Sequence, residues 1–219
     1  MENIKILALA SFMIISSFAV AQNNNYDDQN NDQKYMKIGI KAGLNFSNVY
    51  DANEESFAAD GKFGFVGGLL VHIPIGEYFG FQTEVLYSEK GFKGNGTLLG
   101  SNYSFTRTTS YIDIPLQFAI KPTDFLTILA GPQYSFLIKQ KDEFNSNFGT
   151  ATQEEEIRND NIRKNILGFI TGLDIYSNDL IIGLRMGWDF QNNNGNGTSD
   201  TPRYKNIWVQ TTIGYTLFK

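Results

Sequence analysis

Residues 37–46 read Lys37-Ile38-Gly39-Ile40-Lys41-Ala42-Gly43-Leu44-Asn45-Phe46. One parity is apolar: Ile38, Ile40, Ala42, Leu44 and Phe46. The other is glycine or polar: Lys37, Gly39, Lys41, Gly43 and Asn45. A period of two puts these sets on opposite faces of a β-strand. The pattern recurs about eight times down the chain, which predicts an all-β fold, an eight-stranded antiparallel up-and-down barrel with lipid on one side and a polar interior on the other.

Working outward from that first strand, expected over 37–48, the second covers 62–73. There Phe63, Phe65, Leu69, Val71 and Ile73 oppose Gly64, Gly68 and His72. The third (78–92) sets Phe81, Thr83, Val85 and Tyr87 against Gln82, Glu84, Ser88 and Lys90. The fourth (103–120) sets Ile112, Ile114, Leu116, Phe118 and Ile120 against Tyr111, Asp113, Pro115 and Gln117. Pro115 cannot donate to a ladder, so a bulge or local irregularity is expected there. The fifth (125–138) carries Ile128, Ala130, Tyr134 and Phe136 against Gly131, Gln133 and Ser135. The sixth (165–176) and seventh (180–190) place Gly168, Gly172, Asp174, Gly183, Arg185, Gly187 and Asp189 on the polar parity. The eighth (205–218) alternates through Ile207, Val209, Ile213, Tyr215 and Leu217, and Trp208 and Phe218 break its pattern.

Connection lengths alternate as well. The links 74–77, 121–124 and 177–179 are short; 49–61, 93–102, 139–164 and 191–204 are long. In a meander, alternate connections lie at opposite ends, and short periplasmic turns with long outer loops are the arrangement of outer-membrane barrels. An even strand number leaves both termini periplasmic.

Periodicity alone does not say which face is inside; composition does. A soluble barrel would fill its interior with the apolar parity and charge its exterior densely. Here the polar parity is rich in glycine with scattered charges, which suits a narrow, crowded lumen at eight strands. Phe46, Phe63, Tyr87, Phe136, Trp188 and Phe190 fall toward the long loops, and Phe81, Phe118 and Tyr215 toward the short turns. Two such bands fit interfacial girdles. A lipocalin-like core is the alternative, but such barrels usually add a C-terminal helix and this chain ends on a strand.

The N-terminus reads as a signal peptide over 1–21. Lys5 supplies positive charge, Ile6 to Phe18 is apolar, and Ala19-Val20-Ala21 fits a small-x-small cleavage site. The apolar core is short for a membrane span. The next residue is Gln22, not cysteine, so no lipid-modified N-terminus is expected. Residues 22–36 are rich in Asn, Asp and Gln and read as a flexible polar leader. The barrel domain is expected over 37–219. The chain has no cysteine, which removes disulfides, zinc thiolates and a cysteine nucleophile. A net charge of −5 argues against a nucleic-acid partner. Beyond the signal, no apolar run is long enough for a helical span. Mean hydropathy of −0.25 resembles a soluble protein because averaging hides alternation.

Several blocks carry a family resemblance. Residues 81–91, Phe81-Gln82-Thr83-Glu84-Val85-Leu86-Tyr87-Ser88-Glu89-Lys90-Gly91, resemble the third-strand block of the PorT-like outer-membrane β-barrel family. Tyr111-Ile112-Asp113-Ile114-Pro115-Leu116 is similar to that family's fourth-strand block, with Asp113 in place of the usual Glu. Ala130-Gly131-Pro132-Gln133 resembles its fifth strand, and Gly168 to Gly172, Arg185 and Gly214-Tyr215 are also similar. The chain ends Leu217-Phe218-Lys219, one residue past the final Phe expected of the family. The resemblance covers 37–219 and implies an eight-stranded barrel in a Gram-negative outer membrane. The family has no single agreed activity.

The candidate site is a charged set on the polar parity: Lys41, Glu84, Lys90, Asp113, Asp174, Arg185 and Asp189. Buried charges must pair, because an unpaired one costs several kcal/mol. Arg185 is therefore expected to pair with Asp174, or with Glu84 and Asp113, as a polar plug across the lumen. The competing expectation is a set of solvated lumen residues without fixed partners. His72 is the sole histidine and has no evident nucleophile or metal to work with, so catalysis is not expected. Residues 51–55 and 189–193 offer alternating oxygen ligands. They lack glycine at position six and a bidentate Glu at twelve, so both fail the calcium-loop pattern. Glu154-Glu155-Glu156 reads as a solvated run. The sequons at Asn45, Asn95, Asn102 and Asn196 are expected by chance in an Asn-rich chain.

No cofactor or metal is expected. The functional expectation is a non-enzymatic structural or surface-binding protein of the outer membrane. Its expected partners are membrane lipid, the barrel-insertion machinery, and an extracellular ligand or membrane protein at the long loops. The alternatives are a small porin-like transport channel and a component of an outer-membrane secretion assembly.

Overall fold

The computed structural model of the chain describes residues 35–50, 59–98, 101–146, 149–155, 162–193 and 204–219. The signal peptide, nearly all of the polar leader, residues 51–55 and Glu156 lie outside the described residues. The described strands are β1 (Lys37–Tyr50), β2 (Asp60–Ile75), β3 (Phe79–Leu98), β4 (Ser101–Thr123), β5 (Leu126–Ser146), β6 (Gly149–Glu155), β7 (Asn165–Ser177), β8 (Leu180–Asp189) and β9 (Lys205–Phe218).

All pairings are antiparallel. β1 to β5 pair in sequence, β5 continues to β7, β7 to β8 and β8 to β9, and β9 returns to β1. Eight of the described strands thus pair in a ring. β6 is the addition: it pairs with the far half of β5, Gln140 to Ser146, while β7 pairs with the near half, Leu126 to Phe136. This corrects two expected loops. Residues 93–98 and 101–102 continue the β3–β4 hairpin, in register from Lys93↔Thr106 to Leu98↔Ser101, and 139–146 with 149–155 form the β5–β6 hairpin. These extensions rise beyond the apolar bands, and their outward parity is polar, as at Ser104, Thr106 and Thr108. Without an apolar outward face the membrane-strand alternation is missing.

Burial decides inside from outside. Ile40 is 46% exposed and its neighbour Lys41 5%; Leu184 is 45% exposed and Arg185 1%. Leu44, Phe65, Leu69, Val85, Leu116, Ile128, Ile182 and Ile213 are likewise outward and exposed. A contiguous apolar surface of this kind exceeds what a soluble monomer presents to water, and it is stable when hydrocarbon covers it. Aromatic pairs mark both ends of the band. Phe46 and Phe63 meet at 4.9 Å toward the long connections, and Phe118 sits 5.7 Å from both Phe79 and Phe81 near the short turns. The turn at Ser177–Leu180 is closed by Asn178 at φ 54°, a left-handed conformation that asparagine tolerates.

Three local expectations need correction or completion. The irregularity expected at Pro115 is a gap and not a bulge: no pair stands between Thr83↔Leu116 and Leu86↔Asp113, yet the register is the same on either side. On the β5 side the register shifts between Ser110 and Tyr111 and again between Ile120 and Thr123. An antiparallel residue lacking an N–H disturbs one neighbour only, and the flanking pairs hold the register. Trp208 shares the inward parity of Gln210 and Thr212 and is buried. Phe218 faces out with Leu217 because the β1–β9 register slips between Ile38↔Phe218 and Gly39↔Thr216.

Candidate functional site

The inward residues form the site. All seven charged residues of the candidate set are buried. They fall into two groups along the lumen, each assembled from strands that are not all neighbours.

The group nearer the short turns is built on Arg185. Its Nη2 donates to Asp174 Oδ2 at 2.8 Å and lies 3.6 Å from Glu84 Oε1, and its Nη1 donates to the Leu173 carbonyl at 2.8 Å. Lys41 Nζ reaches Glu84 Oε2 at 2.8 Å. Gln82 Nε2 donates to Glu84 Oε1 at 2.8 Å and to Asp174 Oδ2 at 3.0 Å, joining the two carboxylates. That leaves Gln82 Oε1 to face His72 Nδ1 at 3.2 Å, so the histidine donates there. Two cations and two carboxylates make the group neutral.

Glycine placement makes these contacts possible. On β7 and β8, Gly172 is opposite Arg185 and Gly183 opposite Asp174. A Cβ at Gly172 would stand 2.8 Å from Arg185 Cδ, and one at Gly183 would stand 2.8 Å from Asp174 Oδ1. The runs Gly172-Leu173-Asp174 and Gly183-Leu184-Arg185 therefore interlock, each charge lying over the other strand's glycine. Lys41 likewise faces Gly68 on β2, which leaves its stem room to cross that strand and reach Glu84 on β3.

The second group lies toward the long connections. Lys90 Nζ is 3.0 Å from Asp113 Oδ2, 3.7 Å above the Trp208 ring and 4.9 Å from that of Tyr111. Desolvated cation–π contacts of this kind contribute about 2 kcal/mol. Trp208 lies over Gly187, whose missing side chain is the space the indole fills. Asp189 faces Gly168; its Oδ2 accepts from the Asn206 side-chain amide at 2.6 Å and its backbone N–H at 3.3 Å. Asp113 thus pairs with Lys90 at 3.0 Å, while Arg185 is taken by Asp174 and Glu84.

Beyond these, a third cluster sits at the outer mouth. Arg107 makes a bidentate pair with Asp142, Nε to Oδ1 at 2.8 Å and Nη2 to Oδ2 at 2.7 Å. Its guanidinium carbon lies 5.5 Å from the Phe105 ring and 5.9 Å from those of Phe92 and Tyr204. Burial opposes the Arg107 charge, yet the Asp142 hydrogen bonds and charge outweigh it and hold the guanidinium above its ordinary value; burial pushes the Tyr204 phenol up. Sequence reasoning missed Arg107, Asp142 and the linking role of Gln82. It also missed the apolar lumen residues Leu70, Leu86, Leu129, Ile166 and Ile170. Their signal was parity: each shares the face of the glycines, as Leu70 does between Gly68 and His72.

Among the described residues no group of three or more His, Asp or Glu could hold a metal ion. The description "Outer membrane protein beta-barrel domain" matches residues 20–195. The chain belongs to this outer-membrane β-barrel family. The barrel's place is accordingly the cell outer membrane, in lipid. Among solved structures it is similar to Neisserial surface protein A, at 8% identity and a TM-score of 0.48, covering 82% of this chain and 97% of that one. It is also similar to Ail, the attachment invasion locus protein of Yersinia pestis (10%, TM-score 0.40, 82% and 98%). A third is OprG from Pseudomonas aeruginosa (13%, TM-score 0.39, 85% and 98%). A comparison with curated protein sequences returned no match.

Proposed function

We propose that the barrel is a non-enzymatic outer-membrane protein with a closed lumen, and that it works by binding at the end carrying its long connections. The observation that carries this reading is the double tier of side chains across the interior. Arg185, Asp174, Glu84, Gln82 and Lys41 fill one level, and Lys90, Asp113 and Trp208 the next, all buried. Eight strands leave an interior that side chains can fill, so ions have no ready path. The β3–β4 and β5–β6 hairpins extend the sheet past the apolar band and offer a platform for an extracellular ligand or a membrane-protein partner. Membership of the PorT-like group, and with it a place in a secretion assembly, remains part of this proposal and rests on the 81–91 and 111–116 blocks.

Planar-bilayer recording of the refolded barrel tests the closed lumen. The expected result is no steady conductance; a sustained open level refutes it and favours the channel. Purification of the intact barrel in mild detergent tests the binding role, which predicts a companion that is lost when residues 140–155 are replaced by a short turn. Recovery of the barrel alone from its native membrane refutes that role.

A further inference from the structure

At the short-turn end, a pit of about 20 Å³ opens at the lumen mouth between Lys37, His72, Lys121, Asp124, Thr127 and Tyr176. Five of these come from strands, and their parity is inward: Lys37 with Lys41, Lys121 with Gln117, Thr127 with Gln133, Tyr176 with Asp174. Like charges converge on it. Lys121 is held below its ordinary value, first by burial and then by the Lys37 ammonium. Lys37 Nζ also lies 5.4 Å from the Tyr176 ring. On the pit's floor His72 is buried; its Nδ1 is committed to Gln82, and its Nε2 has no hydrogen-bond partner among the described residues. Two ammoniums, two hydroxyls and one carboxylate leave a net single positive charge. Such a volume admits one or two water-sized oxygens, with the remainder of a ligand outside.

We propose that this pit binds the non-bridging oxygens of a singly charged phosphodiester presented from the periplasmic side. Lys37 and Lys121 supply charge-assisted donors, and Thr127 and Tyr176 supply neutral ones. Because every strand residue of the pit faces the lumen and not the lipid, a water-soluble phosphodiester reaches it more directly than a headgroup of the surrounding leaflet. A bound anion also favours a second proton on the His72 ring, at Nε2.

His72 is the chain's sole histidine, so ring labelling gives one NMR signal without ambiguity. The full-length mature barrel, refolded in an uncharged sugar detergent, is titrated with dimethyl phosphate. A saturable shift of the His72 ring nitrogens is expected, about tenfold weaker in Lys121→Gln and abolished in Lys37→Gln/Lys121→Gln. Sodium chloride at matched ionic strength should not reproduce it. A second arm compares nanodiscs of phosphatidylglycerol with the detergent sample: the same shift there without added ligand assigns the phosphodiester to lipid, and its absence assigns it to a soluble source. No saturable shift in either arm overturns the proposal. So does a shift that Lys121→Gln leaves unchanged while the barrel keeps its heat-modifiable gel mobility.

Discussion

Replacing Arg185 with methionine tests the buried-charge reading most directly. The side chain is 1% exposed, and its two Nη groups serve Asp174, Glu84 and the Leu173 carbonyl. Without it, Glu84 keeps Lys41 and Gln82, but Asp174 keeps only Gln82, and the neutral group becomes an anion inside the barrel. Stranding a buried carboxylate this way costs about 3–5 kcal/mol. The double variant Arg185→Met/Asp174→Leu removes the stranded charge and fills the space with apolar atoms. It should recover most of that loss, giving a coupling of about 2 kcal/mol or more. Equilibrium urea unfolding in lipid vesicles, followed by the emission of Trp188 and Trp208, measures both. An Arg185→Met loss below about 1 kcal/mol would mean that water already screens the site. Additive single and double variants would refute the pairing itself.

Further outcomes follow from the same geometry. Leu184→Lys, one residue away but outward at mid-strand, should cost about 2–4 kcal/mol in the same vesicle assay, and Leu184→Ala far less. Lys90→Met should red-shift or brighten Trp208 emission relative to the parent and destabilise by about 3 kcal/mol, since Asp113 loses its cation. Gly187→Ala should displace the Trp208 indole and cost about 1–3 kcal/mol, read as changed near-ultraviolet circular dichroism with β-content preserved. An Arg107→Gln barrel should insert normally but show faster proteolysis of the β5–β6 hairpin, because Asp142 on β5 then lacks its bidentate partner.

Much of the fold was legible because a strand repeats every two residues, so a one-dimensional string states which side chains share a face. Ile40, Val85, Ile114 and Leu184 could be assigned to one surface without any knowledge of their neighbours. The glycines of the opposite face further said that this surface is outside, since a crowded interior needs empty positions. The β6 strand was not legible: Gly149-Thr150-Ala151-Thr152-Gln153-Glu154-Glu155 is polar or small throughout and carries no apolar period. The absence of a bulge at Pro115 was not legible either, because register is held by pairs on two strands at once.

Partner choice lies on a different link of the chain. Seven charges on one parity could be read from sequence, but which cation meets which carboxylate depends on strand stagger around a closed ring. Register places Gly172 beneath Arg185 and Gly183 beneath Asp174, and it carries Lys90 to Asp113 and Trp208. The alternation of residues determined two faces and the medium each prefers, since solvation acts on every side chain separately. Only the closed sheet decided the ion pairs, since a contact exists when two distant positions arrive within about 4 Å of each other, and distance is a property of the three-dimensional arrangement alone.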